Sequence, residues 1–480
     1  MTDHSYDLVV IGAGSAGLTA AEFSAQLGQR VALVEKGRIG GDCTWSGCVP
    51  SKALLKAAKL AHQIRTAQQF GLGDGELVVD FSAVMDRVSG VVDKVYQAET
   101  PEVLREKGID VIEGTARFTC PKTLAVEPSI PGKENFNLTA RRFIIATGAK
   151  PFVPPILGLE DVAYLTYETV WALRELPSRL IVVGAGPIGC ELAQAFCRLG
   201  SSVTLVEGAD GVLLQDEPEV AELISDQLSR DGVFLRLNSA VQRVWQDGDG
   251  IHVDVGGSEV VADAILMSVG RLPNVNGLGL DEAGVAHSAK GIEVDSRLRT
   301  SQKRILAAGD CAGGYQFTHY AAWQGFMAVR NAFMPGMSVK AVLDKVPWTT
   351  FTDPEVAHVG FTETQARAKF GDCIAASTFP MQRVDRAIAE GDTTGFIKVV
   401  HRRNGKILGA TIVSGRAGEM IHEYALALDK GLSLRDLAES IHVYPTYSLG
   451  TMQLAAQVRV GQVLEGSTGR FLRGLTKLVR

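Results

Sequence analysis

Long apolar runs are missing from this sequence. No stretch reaches the roughly 18 to 20 apolar residues that a helix needs to cross a bilayer, so no membrane span is expected. A basic excess is missing too: 48 Lys and Arg stand against 54 Asp and Glu, a formal net charge of −6. That balance speaks against a general nucleic-acid binder, which would carry a basic face and a high pI. Met1 to Asp7 has no basic n-region and leads straight into Leu8-Val9-Val10, so no secretory signal is expected. Cysteine is scarce, at 7 of 480 residues, so a secreted disulfide framework is not expected. The expected compartment is a reducing cytoplasm, where a disulfide would be catalytic.

Glycine, by contrast, is abundant at 52 residues, and much of it falls where a strand should turn into a helix. Val9-Val10-Ile11 precedes Gly12, Gly14 and Gly17, and Glu35 closes the next apolar run. Ile181-Val182-Val183 precedes Gly184, Gly186 and Gly189, and Glu207 closes the run after it. Equivalent positions lie 172 residues apart (12 to 184, 35 to 207). One such glycine triplet is a weak signal. Two, each between a strand and an Ala/Leu-rich helix with an acid about 20 residues on, are a dinucleotide fingerprint in its required context. The first Gly allows the tight turn, the second lets backbone approach a pyrophosphate, and the third lets helix and strand pack closely. The pyrophosphate sits on the helix N-terminus, and the acid accepts hydrogen bonds from ribose hydroxyls. Beyond Glu207 come Gly208-Ala209-Asp210-Gly211, none of them basic. A carboxylate there suits the free 2′-hydroxyl of NAD and repels the 2′-phosphate of NADP, so NAD(H) is the expected nicotinamide cofactor.

The length suggests about three domains. The first dinucleotide unit is followed by a helical hairpin, Ser51 to Gln68 and Phe81 to Lys107. Strands follow at Val111-Ile112, Thr123-Leu124-Ala125 and Arg142 to Ala146. From Pro347 the pattern changes: strand-like runs at 373–379, 396–401 and 407–413 alternate with helices near 416–431 and 434–441, an α+β arrangement of mostly antiparallel character. The expected fold is α/β, with two Rossmann-like dinucleotide-binding domains and a C-terminal α+β domain. The expected boundaries are 1–155 and 283–346 for the first domain, 156–282 for the second and 347–480 for the last.

The most informative segment is Gly40-Gly41-Asp42-Cys43-Thr44-Trp45-Ser46-Gly47-Cys48-Val49-Pro50-Ser51-Lys52. Pro50 suits the first position of a helix, which puts Cys48 near the positive end of a helix dipole with Lys52 in the first turn. Both favour a thiolate, the attacking species in disulfide exchange. Two buried structural cysteines, or part of a zinc site, are the other readings. Zinc needs four ligands, and no second Cys or Cys/His pair is spaced nearby, so no metal site is expected. Cys190 and Cys197 share a helix face and read as packing residues.

With both fingerprints beside that segment, the chain resembles the class I pyridine nucleotide–disulfide oxidoreductases, which include dihydrolipoamide dehydrogenase, glutathione reductase and mercuric reductase. Ala146-Thr147-Gly148, Gly309-Asp310 and Phe351-Thr352-Asp353-Pro354-Glu355 extend the likeness over essentially the whole chain. Phe317-Thr318-His319 and Asp385-Arg386-Ala387-Ile388-Ala389-Glu390 point toward the mercuric-reductase-like branch. The resemblance implies FAD on the first fingerprint, a nicotinamide dinucleotide on the second and a homodimer through the last domain. It implies that Cys48 faces the flavin and Cys43 meets the acceptor. Glu35 would hold the adenosine ribose and Asp310 the ribityl or pyrophosphate region, while Lys52 and Glu191 would pair beside the flavin ring. Lys36, Gly41, Gly148, Gly270 and Gly309 join the positions expected around the dinucleotides.

One departure bears on function. Disulfide reductases of this family carry a C-terminal His-Pro-Thr followed by a Glu, and that His is the general base, acting across the dimer. Here the segment reads His442-Val443-Tyr444-Pro445-Thr446-Tyr447-Ser448-Leu449, with Tyr444 at the His position and Leu449 at the Glu position. A Tyr, with a pKa near 10, is a poor base at neutral pH, so turnover of lipoamide- or glutathione-type disulfides should be weak. His442 has a structural place in the family. Gly461 to Arg480 has no Cys pair of the kind that ends mercuric reductases. Tyr444 and Tyr447 leave metal or electrophile reduction open; the expected acceptor is a small disulfide, a metal ion such as Hg(II), a quinone or another electrophile, and a redox-sensing flavoprotein or a dihydrolipoamide dehydrogenase-like subunit with low disulfide turnover is the rival reading. The basic stretch Arg470 to Arg480 could touch an anionic membrane, although a solvated end is the simpler expectation.

Overall fold

The computed structural model describes residues 5–73, 77–334, 336, 340 and 345–465; the basic stretch 470–480 lies outside them. The chain falls into two compact units. One comprises Met1–Gly184, Ala195–Val206 and Ser239–Ala341, the other Ala185–Gln194, Glu207–Asn238 and Val342–Arg480.

The first unit starts with β1 (Ser5–Ile11), α1 (Ser15–Gln26) and β2 (Val31–Glu35). The helices α2 (Gly41–Trp45), α3 (Cys48–Arg65), α4 (Phe81–Tyr96) and α5 (Pro101–Glu106) follow, and then β3 (Ile109–Cys120), β4 (Thr123–Pro128) and β5 (Phe136–Ile145). β3 and β5 are long because each pairs in parallel along one part and antiparallel with β4 along another. Ile109–Glu113 runs parallel to β2 and Gly114–Cys120 pairs antiparallel with β4. Phe136–Thr139 likewise pairs with β4, after which β5 runs parallel to β1. The parallel strands are buried on both faces: Leu8, Val9, Val10, Leu33, Phe143 and Ile144 have almost no exposed surface. Their near-continuous apolar sequence follows from that.

Next come β6 (Ala149–Pro151), β7 (Leu165–Thr166), β8 (Arg179–Val183), α6 (Pro187–Leu199), β9 (Ser202–Val206), α7 (Pro218–Asp231) and β10 (Phe234–Arg236). β11 (Val241–Asp247), β12 (Gly250–Val255) and β13 (Ser258–Ala262) form an antiparallel meander. β14 (Ala264–Met267) lies parallel between β7 and β8, and β9 extends the row beyond β8. β15 (Arg271–Pro273) pairs with β6, and β16 (His287–Ser288) with β17 (Gly291–Ile292). β18 (Ile305–Ala307) then pairs in parallel with β5, giving the parallel order β3-β2-β1-β5-β18. The stretch after 283 thus returns to the first sheet, and α8 (Thr318–Phe333) follows it.

The second unit holds an antiparallel sheet in the order β19 (Trp348–Thr350), β20 (Glu355–Gly360), β23 (Ile407–Ser414), β22 (Phe396–Arg402), β21 (Ile374–Pro380). Between these strands lie α9 (Glu363–Phe370) and α10 (Asp385–Glu390); α11 (Ala417–Lys430), α12 (Leu434–Glu439) and α13 (Leu449–Glu465) follow the last strand. Every residue of β23 is buried. Its core gathers Phe379, Ile412, Tyr424 and Leu454.

Three local expectations change. Pro50 is the third residue of α3, not the first, since the helix opens at Cys48; every N–H of the first turn lacks an intrahelical partner, so Pro is tolerated there. The run expected as one helix from Phe81 to Lys107 is two. Pro101 cannot continue a helix and begins α5, with the Thr100 side chain capping Val103 N–H. Finally, α13 was not anticipated. Its sequence contains Gly450 and Gly461 and several β-branched residues, poor helix formers, and burial of Leu454 and Ala455 stabilises it.

Candidate active site

The first glycine turn closes on itself through contacts that admit no side chain. A Cβ at Gly12 (φ +99°) would lie 2.4 Å from the Ala146 carbonyl oxygen, and one at Gly17 1.8 Å from the Gly12 carbonyl oxygen. Gly41 has φ +61°, and a Cβ there would come within 2.7 Å of the Gly14 Cα. Two backbones thus face each other across the mouth of the turn. The Glu35 carboxylate accepts from Ala13 N–H at 2.6 Å and from Gly37 N–H at 2.7 Å, which places it at the helix N-terminus. Thr147 and Asn274 exchange hydrogen bonds of 2.8 and 3.0 Å and secure the Ala146-Thr147-Gly148 turn. Gly309 N–H donates to Gln324 at 2.7 Å.

These elements surround a cavity of about 610 Å³ whose wall includes Gly12, Gly14, Glu35, Lys36, Gly41, Ala146, Thr147, Gly148, Gly309 and Asp310. The volume lies in the range of cofactor sites, about 300–1,000 Å³. Backbone N–H groups, a carboxylate and the side-chain-free mouth between Gly14 and Gly41 suit the pyrophosphate and ribose of a dinucleotide. The cavity wall also includes Cys43 and Thr318, so one space joins the glycine turn to the cysteine segment.

Cys43 lies in α2 and Cys48 opens α3, neither of them in a disulfide here. A hydrogen bond to Cys48 is the main cause raising the Cys43 thiol above its ordinary pKa, and burial adds to it. The Cys48 sulfur is 3.2 Å from the Thr318 hydroxyl at the start of α8. α2 is held on its other side as well. The Thr44 hydroxyl donates to Glu99 at 3.0 Å, and burial raises the Glu99 carboxyl. The Trp45 ring lies between the Arg38 guanidinium (4.7 Å) and the Tyr96 ring (4.8 Å), with its N–H on the Ile39 carbonyl.

An ion cluster here was not legible in the sequence. Arg271, beside Gly270, pairs with Asp310 at 2.8 Å and with Asp42, and donates to the Tyr167 hydroxyl at 3.1 Å. Burial disfavours the guanidinium charge, but Asp310, Tyr167 and Asp42 outweigh it and raise its pKa. Burial likewise raises the Asp310 carboxyl, against the pull of Arg271. A buried Arg satisfied by two carboxylates is strongly bound in place. It fixes Asp42, the residue before Cys43, relative to Asp310, which was expected to serve the flavin. The one available signal was the adjacency of Asp42 to Cys43.

The second fingerprint repeats the first in detail. Gly184 has φ +100°, and a Cβ there would lie 2.7 Å from the Ser268 carbonyl oxygen; a Cβ at Gly186 would meet open space. Gly189 is buried. Glu207 accepts from Ala185 N–H at 2.8 Å and Ala209 N–H at 3.0 Å, the 172-residue counterparts of Ala13 and Gly37. This donor and acceptor set suits a second dinucleotide. Gly270 has φ +129°, and its carbonyl accepts from Phe152 N–H. Lys52 sits in the first turns of α3. Glu191, in α6, is buried and accepts from Phe351 N–H at 2.8 Å. Cys190 is buried with its sulfur 3.3 Å from the Ala185 carbonyl, in keeping with packing.

Tyr444 is 66% exposed. Its phenol is raised above the ordinary pKa by a hydrogen bond to Asp385, so it stays protonated at neutral pH. Tyr447 is buried, its hydroxyl 3.1 Å from Glu390 and 3.0 Å from Asp392. His442 bonds Glu423 at 2.8 Å and the Ser440 carbonyl at 3.0 Å, contacts that anchor the segment carrying Tyr444.

A parallel α/β fold with two dinucleotide turns, one of them opening on a cysteine pair, defines a flavin- and nicotinamide-linked disulfide reductase. The chain belongs to the pyridine nucleotide-disulphide oxidoreductase family: residues 6–325 match that family and residues 346–454 match its dimerisation domain. It is 38% identical over 461 residues to a mercuric reductase of Staphylococcus aureus, covering 95% of this chain and 82% of that one. It is 35% identical to a dihydrolipoyl dehydrogenase of Geobacillus stearothermophilus, covering 95% and 96%. Among solved structures it resembles the Cu(II) complex of the HOCl-induced flavoprotein disulfide reductase RclA from Escherichia coli, with TM-score 0.84 and 30% identity over 95% of this chain and 100% of that one. It also resembles LpdA from Mycobacterium tuberculosis, with TM-score 0.87 and 29% identity over 94% and 99%. The chain is therefore a flavin disulfide oxidoreductase of the mercuric reductase and lipoamide dehydrogenase type, which uses FAD and a nicotinamide cofactor. The dimerisation domain supports a homodimer. Among the described residues no helix is long and apolar enough to cross a membrane.

Proposed function

We propose that this enzyme moves an electron pair from NADH to the Cys43–Cys48 pair and on to a small electrophilic acceptor other than a lipoamide-type disulfide. The observation that carries this reading is Tyr444: a phenol kept protonated by Asp385 stands where a disulfide reductase needs a base. FAD, which Glu35 and the first glycine turn would hold, would supply the two-electron link between nicotinamide and sulfur. Glu35 and Glu207 hold the two riboses, Glu207 favouring the unphosphorylated one. Asp310, clamped by Arg271, orients the flavin side of the cavity, and Lys52 and Glu191 belong beside the ring. Cys48 keeps the thiolate and Cys43 attacks the acceptor. Segments 1–155 and 283–346 serve FAD, 156–282 serves NAD, and 347–480 forms the dimer and brings the partner's Tyr444 segment to the acceptor. The compartment is the cytoplasm.

The mercuric reductase relatives favour Hg(II) within an acceptor class that also takes in quinones and other soft electrophiles as candidates. A redox sensor is the rival. The test is an acceptor screen with purified holoprotein and NADH, covering disulfides, quinones and Hg(II), with Cys43→Ser as control. Multiple turnovers with one non-lipoamide acceptor, lost in Cys43→Ser, are expected. Flavin reduction by NADH with no turnover on any acceptor would leave the sensor reading in its place.

A further inference from the structure

The mechanism above leaves open what keeps the negative charge on Cys48 when the partner's base is absent. Reduction of the pair consumes one hydride equivalent: its electron pair breaks the S–S bond and its proton ends on one sulfur, leaving one thiol and one thiolate. Which sulfur keeps the charge depends on the donors around each. The Cys43 thiol is hydrogen-bonded to Cys48, and that bond and burial hold its proton more strongly than the opposing pull of the Thr318 hydroxyl releases it. The Cys48 sulfur opens α3, where unpaired N–H groups favour an anion. It also lies 3.2 Å from the Thr318 hydroxyl, contributed by the first residue of α8, 270 positions away in the chain. A thiolate has no hydrogen to give, so in that state the hydroxyl must be the donor.

We infer that Thr318 is a positioning residue for the redox pair: its hydroxyl donates to the Cys48 sulfur and fixes the thiolate there. The inference rests on the reading of Cys43 and Cys48 as the redox pair. It assigns to the chain's own subunit part of the charge control that a His–Glu base would exert from across a dimer.

The test uses full-length flavin-loaded protein reduced with dithionite, and compares wild type with Thr318→Val, Thr318→Ala and Thr318→Ser. Iodoacetamide alkylation rates are measured from pH 5 to 9, and the modified cysteine is located by fragmentation of the 39–52 peptide. A second readout is the pH midpoint of the long-wavelength absorbance of the reduced protein. A lost hydrogen bond to a thiolate should raise the Cys48 pKa by about one unit, so Val and Ala should shift both midpoints upward by about that much, roughly tenfold less thiolate at low pH. Ser should stay close to wild type. Unmoved midpoints in Val and Ala would overturn the inference and leave the redox pair intact. A Ser variant that behaves like Val would overturn it as well, because methyl packing would then be the cause. Wild-type protein in which neither cysteine gains reactivity on reduction would instead sink the redox-pair reading. Alkylation reports on the sulfur even if a variant retains less flavin.

Discussion

At Tyr444 a phenol that Asp385 holds above its ordinary pKa is protonated at neutral pH and so is a poor acceptor for a substrate thiol's proton. Replacing it restores a titratable imidazole at the position where the family keeps its base. Tyr444→His should therefore raise NADH-dependent lipoamide turnover by at least about tenfold at pH 7.5, less than the full 10²–10⁴ of a general base because Leu449 offers no carboxylate to orient the imidazole. Steady-state kinetics check this, and no gain would mean that geometry, not the missing base, limits disulfide chemistry. His442 two residues earlier does not fill that role: both its ring nitrogens are engaged, by Glu423 and by Ser440.

At the scale of elements, α1 and α2 meet backbone to backbone at the mouth of the cradle. Gly41→Ala would place a Cβ 2.7 Å from Gly14 in a left-handed backbone, at a cost of about 1–3 kcal/mol. The purified variant should retain less FAD and melt at a lower temperature; unchanged flavin content would show that the turn can relax. In the sheet of the second unit, His358 on β20 is fully buried against Thr411 and the Gly360 carbonyl, and burial pulls its pKa down to about 4. A depressed folded-state pKa means stability that is present above the unfolded value of 6.5 and lost as pH falls through 4. From the two values this amounts to about 3 kcal/mol. Thermal midpoints taken from pH 7 to 4 should fall less steeply in His358→Gln than in wild type, and parallel slopes would remove His358 from the account.

For the molecule as a whole, the second unit gathers distant stretches of chain around a single cation. Lys398 on β22 is only 4% exposed and pairs with Glu217 at 3.1 Å, Glu219 at 2.7 Å and Glu363 at 3.0 Å. Burial works against its charge, and the three carboxylates raise its pKa nonetheless. Lys398→Met would leave the buried Glu217 without its cation, an arrangement that costs about 3–5 kcal/mol. Chemical denaturation of the holoprotein should show that loss. A shift below about 1 kcal/mol would mean that Glu217 takes up a proton cheaply or finds water.

Both dinucleotide turns, the cysteine segment and the antiparallel last sheet were legible in the sequence because each depends on local rules: which residue permits a turn, which alternation suits a strand, where a helix dipole begins. The 172-residue repeat even extends to which backbone N–H each glutamate meets. The Arg271 cluster, the Thr318 contact with Cys48, the Lys398 ion network and helix α13 were not legible. Their partners lie as much as 270 positions apart, and burial, which sets their pKa shifts and their stabilities, exists only once the chain has folded. The amino-acid order alone thus determined that two dinucleotide turns and a closely spaced cysteine pair occur and in what succession. The tertiary structure decided which charges and hydroxyls surround that pair, because such long-range pairings carry no local signature.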